Sequence, residues 1–193
     1  QAHRCASAWP VTGRSAFIMR TASTCCGSWV DVNLMYIGAK NNVFNSHVEF
    51  FSKMKKGTLY GLTPLVNETA CGPDFYEEAK KSGHYIELDP AMSMEEAKEY
   101  ANKMDVLYTD TWVDMEFFNN PAYQKQKEET LAKMMPYQLN GDFTKDSKAI
   151  VFHDMPMHVG FEISQDVVDK NLDHILDEAE NRRHAEKAVM YTL

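Results

Sequence analysis

At 193 residues, 44% hydrophobic and 25% charged, the chain has the make-up of an ordinary globular protein with room for a sizeable core. A net charge of −8 and a pI near 5.3 argue against nucleic acid or an anionic membrane surface as partner. No apolar run approaches the ~20 residues of a membrane-spanning helix, no secretory signal is visible, and Cys5, Cys25, Cys26 and Cys71 form no CxxC pair, so a cytoplasmic setting without disulfide framework or zinc site is expected.

The first 30 residues hold no Asp, Glu or Lys, whereas all 28 acids lie beyond them. They carry no sustained helical or strand period. An α/β domain seldom leaves so long a stretch without a carboxylate or lysine. The segment 1–30 is therefore expected to be atypical, an out-of-frame or cloning product, with a loosely packed natural extension as the alternative. The domain proper is expected over 31–193.

From residue 31 strands and helices alternate. Val32-Asn33-Leu34-Met35-Tyr36-Ile37 reads as a strand ended by Gly38. Val43, His47, Phe50, Phe51 and Met54 recur at helical spacing, with Lys53, Lys55 and Lys56 placed in the last turn and Gly57 as cap. A second strand is expected over 58–62, stopped near Pro64, then a short helix over 74–82 and a third strand over 84–88. Ser93 and Glu96 form a capping box that opens a helix with Met94, Ala97, Ala101 and Met104 on its apolar face. Residues 105–109 read as a fourth strand, and Asn120 with Pro121 starts a helix to about Met135. Ala149-Ile150-Val151-Phe152 is the fifth strand, and a helix over about 177–191 ends the chain. This alternation predicts a Rossmann-like α/β fold, a parallel sheet of about five strands with helices on both faces and right-handed crossovers.

Polar groups gather where these strands end, which is where parallel sheets bind ligands. After the first strand come Lys40, Asn41 and Asn42, a helix N-terminus suited to an anion, although a plain N-cap explains it as well. One glycine there is too few for a dinucleotide fingerprint. After the fourth strand stand Asp110, Asp114 and Glu116, able to hold an amine or a divalent cation, or to be a solvated acidic loop. After the fifth come His153, Asp154 and, past Pro156, His158. The run from Asp177 to Ala188 is by default a charged helix face, although Arg182 has the fork geometry that binds carboxylate or phosphate.

Taken together these segments are more specific than any one. The Val32-to-Gly38 strand ahead of Asn41-Asn42 comes first. Next are Tyr108-Thr109-Asp110-Thr111-Trp112-Val113 and Met134-Met135-Pro136-Tyr137-Gln138-Leu139-Asn140. His153 with Pro156 follows, and Ala179-Glu180-Asn181-Arg182-Arg183-His184-Ala185 closes the series. This is the order and approximate spacing of the ornithine carbamoyltransferases, and residues 32–193 resemble the second, amine-binding domain of that family.

The resemblance implies a two-domain α/β enzyme without cofactor or bound metal, assembled as a homotrimer. Its first domain takes carbamoyl phosphate and its second the amine, and phosphate leaves as the amine attacks. Asn42 would hold the substrate α-carboxylate and Asp110 its α-amino group, with Asp114 and Met115 in the family's Ser-Met-Gly loop. His153 and Arg182 would line the carbamoyl phosphate side, with Asp154 and Met155 where the family has Cys-Leu. Catalytic work thus falls to His153, Asp154 and Arg182. The family's Ser-Thr-Arg-Thr-Arg and His-Pro-x-Gln motifs for carbamoyl phosphate are absent, so the chain is expected to be truncated and inactive alone. Asp114 and Asp154 replace a Ser and a Cys. That crowds carboxylates and favours a cationic ligand, ornithine or a close relative first and a diamine such as putrescine second. Pairing of one new aspartate with Lys40, Arg183 or a metal would relieve the crowding instead. A non-catalytic amine-binding module of the same fold is the competing class.

Overall fold

Along the strand β1 (Asn33–Lys40), Leu34 and Tyr36 turn to one side and Met35 and Ile37 to the other, and all four are fully buried. A strand with no polar face needs cover on both sides, which the crossover helices of a parallel sheet supply. The computed structural model describes residues 31–113 and 115–192; the expectations for residues 1–30 and for Asp114 lie outside them. The other strands are β2 (Thr58–Val66), β3 (Tyr85–Glu87), β4 (Val106–Thr109) and β5 (Ile150–His153), all parallel, in the order β3-β2-β1-β4-β5.

One face is covered by α1 (Asn42–Ser52) and α2 (Pro73–Lys80), whose Phe44, Phe51 and Tyr76 pack with Tyr36, Tyr85 and Tyr108. The other is covered by α3 (Met94–Ala101), by the start of the long terminal helix and by a one-turn helix between them. Ala97, Phe143, Val167 and Ile175 pack there on Met35 and Leu107. The chain leaves β1 toward β2 and β3, then returns to the other side of β1 for β4 and β5. The two crossover directions part between β1 and β4, the topological switch point at whose carboxyl ends open parallel sheets form their ligand crevice.

The helix caps follow the sequence closely. Asn41 accepts from the Phe44 N–H, and Ser93 and Glu96 form the reciprocal capping box. Asn120 caps a 3-10 turn, Pro121–Tyr123, ahead of the helical segment Gln124–Met134. Two one-turn helices not expected from the sequence, α4 (Met115–Phe118) and α6 (Gly141–Thr144), flank this α5.

Five expectations are corrected. β1 continues past Gly38 and β2 past Pro64, because the register shifts from Ile37↔Leu62 to Ala39↔Leu65 and the irregularity absorbs both residues. Pro64 needs no N–H toward β3, whose pairing with β2 covers only Leu59, Tyr60 and Gly61. Helix α1 ends at Ser52 with Lys53 as cap, so Lys55 and Lys56 lie beyond it and Gly57, at φ 76°, serves the turn into β2. The terminal helix α7 runs Gln165–Thr192, twelve residues earlier than its charge pattern indicates, because Val167, Val168 and Ile175 bury against the sheet. Cys71 is disulfide-bonded, against the expectation of a chain without a disulfide framework.

Helix α7 also closes the β5 edge: the Val151 N–H donates to Asn171 Oδ1 at 3.0 Å. Among the described residues no helix is long and apolar enough to cross a membrane.

Gly61 sets how closely β2 can approach α1. A Cβ there would lie 2.7 Å from Phe44 Cζ and 3.3 Å from Tyr85 Cε2. The Phe44 ring is itself packed among Tyr36, Tyr76 and Tyr85. Gly61→Ala is expected to destabilise the domain by about 1–3 kcal/mol through overpacking, read as a lower urea midpoint with an unchanged m-value.

Candidate functional site

The crevice is built first from the two strands that flank it. The Thr109 hydroxyl donates to the Ile37 carbonyl at 2.8 Å, tying the ends of β4 and β1 together. Just beyond, Asn41 divides its amide between two tasks. Its Oδ1 caps α1, accepting from the Phe44 N–H at 2.9 Å, and its Nδ2 donates to Asp110 Oδ2 at 2.8 Å. The other oxygen of Asp110 accepts the Thr111 N–H at 2.7 Å. Asn41 is 3% exposed and Asp110 6%, so a carboxylate sits nearly dry at the switch between the two halves of the sheet.

At the end of β5, His153 is wholly buried. Its Nδ1 lies 2.8 Å from the Asp154 carbonyl and its Nε2 3.1 Å from Glu162 Oε1. Burial is the largest single influence and works against a charged ring, but the Glu162 carboxylate, Asp110 and the Asp154 carbonyl together outweigh it, so the His153 pKa stands above its ordinary value. His158 behaves oppositely. Burial lowers its pKa despite Glu162, and its ring stacks on Phe118 at 3.6 Å.

From α7, Glu178 accepts the Tyr108 hydroxyl. Burial foremost, and then the charges of Glu178, Asp154 and Asp110, raise the Tyr108 pKa well above 10.0 and keep it a neutral donor. Tyr108 stacks on Tyr36, whose hydroxyl reaches the Ala39 carbonyl and Asn41 Oδ1, so one aromatic pair links the α7 carboxylate to the Asn41 amide.

The structure therefore brings Asp110, His153 and Asp154 together through shared electrostatics. Asn42 stands beside them in the first turn of α1 with an exposed side chain, its backbone N–H donating to Thr69 Oγ1 at 3.2 Å. Met155 is 41% exposed on the turn after β5, and Met115 opens α4. Arg182 faces solvent instead, its Nε paired with Glu186 at 3.0 Å one turn along α7.

The lysine and arginine of the alternative reading have carboxylate partners of their own among the described residues. Lys40 pairs with Glu87, and Arg183 with Glu180. Among the described residues no group of three or more His, Cys, Asp or Glu could hold a metal ion.

Three residues were not assigned to the site from sequence. Asn41 reads as a cap or as part of an anion-suited helix start, and its bond to Asp110, 69 residues away, leaves no local mark. Glu178 sits in a charged run that is by default a solvated face. Glu162 carries a faint signal, a lone acid between Phe161 and Ile163 next to a glycine turn.

The family model described as "Aspartate/ornithine carbamoyltransferase, Asp/Orn binding domain" matches residues 30–193. The chain is 34% identical over 173 residues to an ornithine carbamoyltransferase of Chlorobaculum tepidum, covering 86% of this chain and 46% of that protein. It is 33% identical over 174 residues to one from Thermococcus kodakarensis, covering 82% and 48%. The solved ornithine carbamoyltransferase of Pyrococcus furiosus is similar with a TM-score of 0.73 at 27% identity, over 93% of this chain and 55% of that one. The chain spans about half the length of the curated relatives it matches.

Asn41→Ala removes the cap, at ~1 kcal/mol, and one hydrogen bond of a buried carboxylate, at ~1–3 kcal/mol. A loss of about 2–4 kcal/mol in urea unfolding is expected. Asn41→Ser, which keeps a capping oxygen but cannot donate the amide bond, should lose only the Asp110 share.

Proposed function

This chain belongs to the aspartate/ornithine carbamoyltransferase family, and from that premise we propose that it is the amine-binding half of an enzyme that carbamoylates ornithine or a close basic relative. The observation that carries this reading is the buried Asp110 carboxylate, held by Asn41 at the β1/β4 crevice with Asn42 alongside. A substrate ammonium is the natural partner for such a carboxylate. The Asn42 amide suits a carboxylate one side chain away.

In the reaction the amine lone pair forms the bond to the carbamoyl carbon as the bond to the phosphate oxygen breaks. Phosphate leaves with that electron pair, and the amine gives up a proton. Asp154, at the end of β5 where the family carries a cysteine, is the base in this reading. His153 and Arg182 serve the carbamoyl phosphate side, and Met115, Met155 and Asp114 shape the amine pocket. The full protein would work as a homotrimer. Half the length of the relatives leaves one reactant without its binding residues, so near-attack geometry is lost and this chain alone turns nothing over.

A diamine is the second reading, favoured by the excess of carboxylates around Tyr108: Glu178, Asp154 and Asp110.

Calorimetric titration of the chain with ornithine, putrescine and agmatine tests both. Ornithine is expected to bind, and Asp110→Asn to weaken it about ten- to hundredfold, the ~1.5–3 kcal/mol of a hydrogen bond to a charged group. Asp154→Cys should move preference from putrescine toward ornithine. Affinity for ornithine unaltered by Asp110→Asn would overturn the assignment. A colorimetric assay for the carbamoylated product should read zero for this chain, and turnover there would refute the half-enzyme reading.

A further inference from the structure

We propose that Glu162 is a positioning residue that holds His153 doubly protonated at the end of β5, which makes His153 a fixed internal cation of the crevice rather than a base. The geometry assigns the protons. His153 Nδ1 faces the Asp154 carbonyl at 2.8 Å, and a carbonyl only accepts, so Nδ1 carries a hydrogen. Nε2 faces Glu162 Oε1 at 3.1 Å, and a neutral ring would turn a lone pair onto that carboxylate. A second ring proton converts the clash into a charge-assisted hydrogen bond.

Glu162 cannot swing away to avoid the pairing. It is 1% exposed, and the same Oε1 accepts the His158 N–H. Its own carbonyl accepts the Leu139 N–H at 3.0 Å, and the next residue, Ile163, accepts from the Gly160 N–H at 2.8 Å, with Gly160 at φ 96°. The turn over 154–163 is thus folded around one carboxylate.

The groups facing the ring agree. Asp110 beyond β4 and Glu162 both favour a charged His153, while His158, the nearby competitor for positive charge, has its pKa lowered mainly by burial. With a raised folded value, the pair's contribution to stability is full below the ordinary histidine range and fades as pH rises through the folded value. Resting on the amine-binding reading above, this leaves Asp154 as the proton acceptor of the crevice and supplies one positive charge that the substrate need not bring.

The test is a ring 1H–15N correlation titration of the ligand-free 193-residue chain from about pH 5 to 9. His153 should show both ring nitrogens protonated at about pH 7.5, while His158 is neutral. Glu162→Gln should lower the His153 midpoint by about one pH unit or more, and Glu162→Asp should restore most of it. A neutral His153 in the wild-type chain near neutrality, or a midpoint unmoved by Glu162→Gln, overturns the proposal. If Glu162→Gln does not fold, the wild-type ring spectrum decides alone, and a His153 with one unprotonated ring nitrogen near neutral pH counts against us. Ornithine calorimetry on the same sample reads the amine-binding function separately. Binding with a neutral His153 sinks this inference alone, and a charged His153 without binding sinks only the functional reading.

Discussion

The Asp110 carboxylate is buried just past the paired ends of β1 and β4, and a charge taken out of water must be met by donors already in place. Asn41 supplies one of them, and can do so only because α1 starts where it does, with the same amide capping the helix. The start of α1 is fixed in turn by Phe44 and Phe51 packing under β1 and β2. Core packing, helix start and carboxylate orientation are therefore one constraint. Asp110 keeps its direction as long as the helix keeps its first turn, which is how a rigid scaffold lends precision to a polar site.

The rest of the crevice follows the same economy. Tyr108, one residue before Thr109, stacks on Tyr36 and donates to Glu178, so the terminal helix is docked by a polar bond that needs a neutral phenol. His153 is braced by its own turn on one side and by Glu162 on the other. Acids dominate the surroundings, and they are tolerated because each described bond to them comes from a donor: an amide, a hydroxyl, a backbone N–H or an imidazole. Such an environment is preorganised for positive charge before any ligand arrives.

The alternation of strands and helices was legible from residue 31 onward, since buried β-branched runs, caps and turn glycines each leave a local mark. So was the gathering of Asp110, His153 and Asp154, because residues that end parallel strands meet by topology alone. What stayed hidden depends on distant partners. The extension of β2 through Pro64 depends on where β3 stops pairing. The first half of α7 depends on Val167, Val168 and Ile175 finding the sheet, and its charges conceal that stripe. Glu162 and Glu178 look like surface acids until folding buries them at 1% and 7% exposure. Arg182 carries the most specific motif of the chain, yet its side chain turns to solvent and pairs with Glu186. A motif names a residue type at a position, and the orientation of its side chain is decided by what packs beside it.

The two margins of the sheet have a further consequence. At one, Asn171 occupies the Val151 N–H, so β5 offers an incomplete row of donors to a newcomer. At the other, β3 is only three residues long, and the β2 segment that overshoots it carries Pro64, which has no N–H to give. Exposed strand edges are the usual seed for strand-by-strand polymerisation. Among the described residues both edges are blunted by the domain's own chain, which leaves either one a poor template for an added strand.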